Sequence, residues 1–103
     1  MRILHVATGA EWERAERDGV YRGNTLATEG FIHCAKPEQL MHVLTRYFPA
    51  TAGHVIVEID PARVDAEIRW EGATEWVPDS LPDGFPHIYG PLNLSAVTRV
   101  KRL

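Results

Sequence analysis

Apolar positions change their spacing several times along the chain, and each change predicts an element. Arg2 to Ala7 is short and apolar-rich and reads as a first strand that carries His5. Thr8-Gly9-Ala10-Glu11 then matches a capping box, in which the Thr8 hydroxyl satisfies an orphan N–H and Glu11 reaches back. A helix is predicted from there to Gly19, with Trp12 and Ala15 as its modest apolar face. Val20 to Gly30 has few apolar residues and contains Gly23, Asn24 and Gly30, which predicts a loop with a brief strand at Val20-Tyr21. Phe31 to Cys34 reads as a short buried strand. Pro37 at a first helical position, followed by Leu40, Val43, Leu44 and Tyr47, gives the stripe of an amphipathic helix. Its end is predicted near Phe48, because Pro49 disfavours helical geometry in the residue before it.

The second half is predominantly extended. Val55, Ile56, Val57 and Ile59 crowd β-branched side chains into His54 to Ile59, the clearest strand. Asp60-Pro61 turns the chain, and Ala66 to Glu71 resumes as a strand. Thr74 to Asp83, acidic and proline-containing around Trp76 and Val77, reads as a loop. Pro86 to Tyr89 and Val97 to Leu103 are the last strands, with a helical turn at Leu94-Ser95-Ala96 between them. The order predicts an α+β fold: a mixed β-sheet with two early helices packed on it, in one domain over residues 1–103.

Composition narrows the function classes. With 45% hydrophobic and 24% charged residues over 103 positions, the chain has the make-up of a globular domain with one core. A net charge of −3 gives no general attraction to nucleic acid or anionic membranes. Arg99, Lys101 and Arg102 form a local basic cluster that reads as the solvated end of the last strand. Cys34, the single cysteine, leaves no intramolecular disulfide and no multi-cysteine metal knuckle. Met1 to Thr8 lacks a sustained apolar signal region and no stretch has the length to span a bilayer, so the expected compartment is the cytoplasm.

Candidate chemistry resides in the five histidines. His42 falls off the main helical stripe and His54 starts a strand after a glycine turn, so both are expected at the surface. His5, His33 and His87 each lie inside a short apolar strand. An imidazole there is either a core histidine with satisfied partners or part of a cleft wall, since burying it unpaired costs roughly 1–3 kcal/mol. His87 is the most informative: Pro86, Gly90 and Pro91 frame it, and Tyr89, two positions on, projects to the same face. Glu58 and Glu71 are carboxylates that could orient a histidine or contact a ribose, or simply face solvent. Cys34 follows His33 directly, so the two point to opposite faces, which argues against a nucleophilic pair and for a buried, inert thiol. Nothing in the histidine spacing specifies a metal site.

Phe31-Ile32-His33-Cys34 and Phe85-Pro86-His87-Ile88-Tyr89-Gly90-Pro91-Leu92 resemble the signature of the domain of unknown function 952 family. Val57-Glu58-Ile59-Asp60, Arg69-Trp70-Glu71 and His5 fit it as well, over essentially the whole chain. The resemblance implies the ADP-ribosyltransferase-like fold, a split mixed sheet that holds NAD in a cleft. It further implies His5 at a cofactor ribose, and on that reading His87, Tyr89 and His33 are the catalytic residues; Glu58 and Glu71, the carboxylates that could contact the cofactor, come earlier in the chain than the superfamily's late-strand glutamate. The late motif departs from that superfamily in offering His87 and Tyr89 and no glutamate. Two functions follow as expectations: binding of NAD or a related nucleotide with transfer or hydrolysis of an ADP-ribosyl group, or a non-catalytic module for a small ligand or a protein partner.

Overall fold

The structure, a computed structural model, describes residues 1–47, 52–71 and 84–103. Strand β1 (Ile3–Thr8) runs into helix α1 (Gly9–Asp18) through the predicted capping box: the Thr8 hydroxyl accepts the Glu11 N–H, and the Glu11 carboxylate accepts the Thr8 N–H. Gly19 ends the helix in the left-handed conformation. After β2 (Val20–Tyr21) comes α2 (Thr25–Glu29), a single short helix where the sequence predicts a loop. Its sparse apolar pattern gives no periodic signal. Gly30, left-handed, stops it, and the Thr25 hydroxyl donates to the Phe31 carbonyl to tie its ends together.

Strand β3 is only Ile32–His33. A 3₁₀ turn at Pro37–Gln39 leads into α3 (Leu40–Tyr47), so the predicted proline start holds, while the predicted end at Phe48 lies outside the described residues. The predicted loop at 74–83 lies outside them too. Strands β4 (His54–Ile59), β5 (Glu67–Glu71), β6 (Phe85–Tyr89), β7 (Leu92–Asn93) and β8 (Val97–Arg102) follow, with the expected helical turn at Leu94–Ala96.

The strands form three ladders, ordered β1-β4-β8, β2-β7 and β3-β6-β5. Every pairing among the described residues is antiparallel, where the element order predicts one mixed sheet. Strand order read along the sequence does not reveal which strands pair, because the partners of β3 and β4 lie far away in the chain. The domain is α+β with few helices, as its element order implied. One apolar cluster joins the ladders, with Ile3, Val57 and Ile59 from the first and Ile32 and Ile88 from the third, closed by Trp12, Tyr21 and Leu92. Strand alternation sends Ile32, Ile88 and Ile68 to this core and leaves His33, His87 and Arg69 side by side on the other face of the third ladder. No helix of the described residues is long and apolar enough to cross a membrane.

Candidate functional site

His5 and His87 arrive at the same cavity from different ladders, and their hydrogen bonds differ. His5 is 9% exposed. Its Nδ1 faces the backbone carbonyl of His33, which only accepts, so Nδ1 carries the proton. Its Nε2 then accepts from the Tyr21 hydroxyl at 2.6 Å. Burial holds the His5 pKa below its ordinary value, against the opposing pull of the His33 carbonyl. Burial likewise pushes the Tyr21 phenol up, so the pair stays neutral. Gly23 makes room for it: a Cβ there would meet the Tyr21 hydroxyl oxygen at 2.8 Å.

His87, 6% exposed, sits on β6 with Nδ1 at 2.8 Å from the Glu71 carboxylate. The same carboxylate oxygen accepts the Tyr89 hydroxyl. The hydrogen bonds from Tyr89 and then His87 hold Glu71 below the usual carboxylate range, and that carboxylate in turn raises Tyr89. An ionised Glu71 fixes the proton of His87 on Nδ1, which leaves Nε2 with its lone pair. That atom makes no hydrogen bond among the described residues. Burial keeps the His87 pKa below its ordinary value, Glu71 opposing, so the ring is a neutral base near pH 7.

His33 stands directly across the ladder from His87, with ring centroids 5.1 Å apart. Its Nε2 lies 3.2 Å from Glu29, four residues earlier and at the end of α2. Phe31 stacks on the His87 ring at 4.3 Å and also touches Tyr89. Arg69, the neighbour of His87 on β5, lies over the Tyr89 ring and pairs with Glu67. His5, Tyr21, Glu29, Phe31, His33 and His87 line one cleft of about 660 Å³, a volume within the range of small-molecule sites.

The remaining expectations divide. Glu71 is brought to the site as the orienting partner of His87, and Tyr89 reaches the site through Glu71 rather than by lining the cleft. Glu58 is not brought there. It faces away from Val57, the cross-strand partner of His5, and binds the Thr98 hydroxyl and Arg2. Alternation along a strand with one buried side accounts for that. His5 lines the cleft, but both of its ring nitrogens are engaged inside the protein, so neither is left for a ribose. Cys34 is buried, and burial raises its pKa, in keeping with an inert thiol. His42 and His54, expected at the surface, are half-buried. His54 sits on the central strand β4 between Thr8 and the final residue, whose N–H binds its carbonyl.

A family model described as Protein of unknown function (DUF952) matches residues 6–100. The chain belongs to that family. The DUF952 chain is also similar to a solved protein, CC0527 from Caulobacter crescentus. Its crystal structure superposes with a TM-score of 0.84 at 27% identity, covering 100% of this chain and 86% of that one. The solution NMR structure of CC0527 gives 0.77 at 28% identity, covering 99% and 84%. No curated protein matches. These comparisons bear on DUF952 and not on the ADP-ribosyltransferase superfamily. Within the DUF952 site, sequence reasoning missed Tyr21, Glu29 and Phe31. Glu29 had a usable signal in its four-residue spacing to His33, whereas Tyr21 had none, because its partner is sixteen residues away on another ladder.

Proposed function

We propose that this DUF952 domain binds a small organic ligand in the cleft and moves a proton on it, with His87 as the acid–base group. The observation that carries this reading is the state of the His87 ring: Nδ1–H is committed to Glu71, while Nε2 keeps its lone pair on a residue that lines the cleft. A general base needs a fixed tautomer, a pKa at or below the working pH and an uncommitted nitrogen. Glu71 provides the first, burial the second and the third is left by the fold. His33, held by Glu29 across the cleft wall, is the second proton carrier in reach of the same ligand. Phe31 keeps the His87 ring in plane by stacking on it. Tyr89 is a positioning residue that acts through Glu71.

NAD, the cofactor implied by resemblance, does not fit the cleft by itself. No Lys or Arg is among the described residues that line it, so a diphosphate finds no cation there, and His5 has no nitrogen left for a ribose. The cleft residues suit an uncharged group instead, such as a sugar or an aromatic ring. The test is a titration of adenosine, ADP-ribose and NAD followed by imidazole NMR. The expected result is movement of the His33 and His87 ring signals, lost about tenfold or more in affinity in His87→Ala. If none of the three moves those signals at millimolar concentration, the reading fails. If a ligand binds and is recovered unchanged, the domain is a binding module without turnover.

A further inference from the structure

The cleft lacks a cation among its described lining residues, yet two arginines with no partner among the described residues stand against its outer wall. A second cavity of about 360 Å³ shares Glu11, Gly23 and Asn24 with the cleft and is lined by Arg14 of α1 and Arg22 of the β2–α2 connection. Neither guanidinium has an ion pair or a hydrogen bond among the described residues. The chain uses its other site arginine differently, since Arg69 is taken up by Glu67 and the Tyr89 ring. Glu11, the carboxylate on the shared wall, is committed to the Thr8 N–H. Asp18 lines the second cavity as well and stands four residues after Arg14, but it forms no ion pair with either arginine.

We infer that Arg14 and Arg22 form an anion subsite that continues the cleft, so that the ligand carries a phosphate or carboxylate beside the uncharged part read by His33 and His87. A guanidinium pair suits this, because each fork presents parallel N–H donors to a planar or tetrahedral oxyanion. The shared wall makes the two cavities neighbours. A single molecule therefore spans them, its anion on the arginines and its neutral group next to Nε2 of His87. Asp18 works against the anion by like charge and sets the affinity of the subsite below what two arginines alone would give. The role of the subsite rests on the reading of the cleft as a ligand site, whereas its existence does not.

The test therefore uses anions alone: inorganic phosphate and succinate are titrated into the full chain while the backbone amide signals of Gly23 and Asn24 are followed by NMR. Saturable shifts are expected, weakened about tenfold in Arg14→Gln and in Arg22→Gln, which leave the fold intact because both side chains are exposed. Asp18→Asn is expected to tighten binding, and His87→Ala to leave it unchanged. The anion that binds more tightly identifies the source, phosphate ester or carboxylate. Absence of saturable shifts, or equal binding by both arginine variants and the parent, overturns the proposal. An anion site that survives His87→Ala while adenosine binding is absent would leave the subsite standing and sink the cleft reading alone.

Discussion

Two buried histidines in this domain share a cavity and a neutral state, yet only one keeps a ring nitrogen without a hydrogen bond among the described residues. His5 is closed on both sides, by a carbonyl and by a phenol, and its ring joins β1 to the β3 backbone and to β2. His87 is closed on one side by Glu71 and open on the other. The difference teaches that burial and a lowered pKa do not by themselves mark a functional imidazole. What matters is whether the second nitrogen has been used. In His5 the second hydrogen bond makes the ring a clamp between strands, and removing the ring leaves two groups without partners.

That contrast breaks most visibly in stability. His5→Ala is expected to cost about 2–4 kcal/mol in urea unfolding, because it strands the His33 carbonyl and the Tyr21 hydroxyl and opens a cavity. His87→Ala is expected to cost clearly less, since Glu71 is part-exposed and can take water in place of the ring. Equal losses from the two variants would erase the distinction between a ring bonded on both sides and one bonded on one side.

Acid sharpens the comparison next. Both histidines have folded pKa values below the ordinary imidazole value of about 6.5, so the unfolded chain binds more protons as the pH falls through that region. Stability is therefore full above about pH 6.5 and is expected to decline below it, by at most about 1.4 kcal/mol per pH unit for each histidine. Carboxylates such as Glu71, whose folded pKa is lowered, contribute a separate loss only below about pH 4.3. Unfolding of the parent and of His5→Gln at pH 7 and pH 5 measures this. A parent as stable at pH 5 as at pH 7 would contradict the neutral burial of both rings.

The smallest effect concerns Glu58, which stands outside both arrangements. Glu58→Gln is expected to change stability by no more than about 0.5 kcal/mol, because its contacts with Thr98 and Arg2 are largely at the surface. It should leave the His87 ring signals in place. A shift of those signals in Glu58→Gln would connect the outer face of the first ladder to the cleft, against the observed alternation.

Much of the fold and part of the site are legible in the sequence. The Thr8–Glu11 capping box, the Gly19 stop, the Pro37 start and the β-branched run at 54–59 are local signals, and local signals survive folding unchanged. The pairing of His87 with Tyr89 on one face follows from a period of two, and both meet at Glu71. Other features have no local signature. The α2 helix is held by a hydrogen bond across its own ends and a glycine, not by an apolar stripe. The split into three antiparallel ladders depends on partners distant in sequence, such as β3 with β6.

By itself, then, the sequence determined most of the segments that extend or coil, α2 excepted, and which histidines sit among apolar neighbours. Only the tertiary structure decided what each histidine is bonded to. An imidazole has two nitrogens, and its role depends on what meets each of them. Those partners come from other strands: Tyr21 and the His33 carbonyl for His5, Glu71 alone for His87. The tautomer and the uncommitted lone pair are consequences of strand pairing, which no run of neighbouring residues encodes.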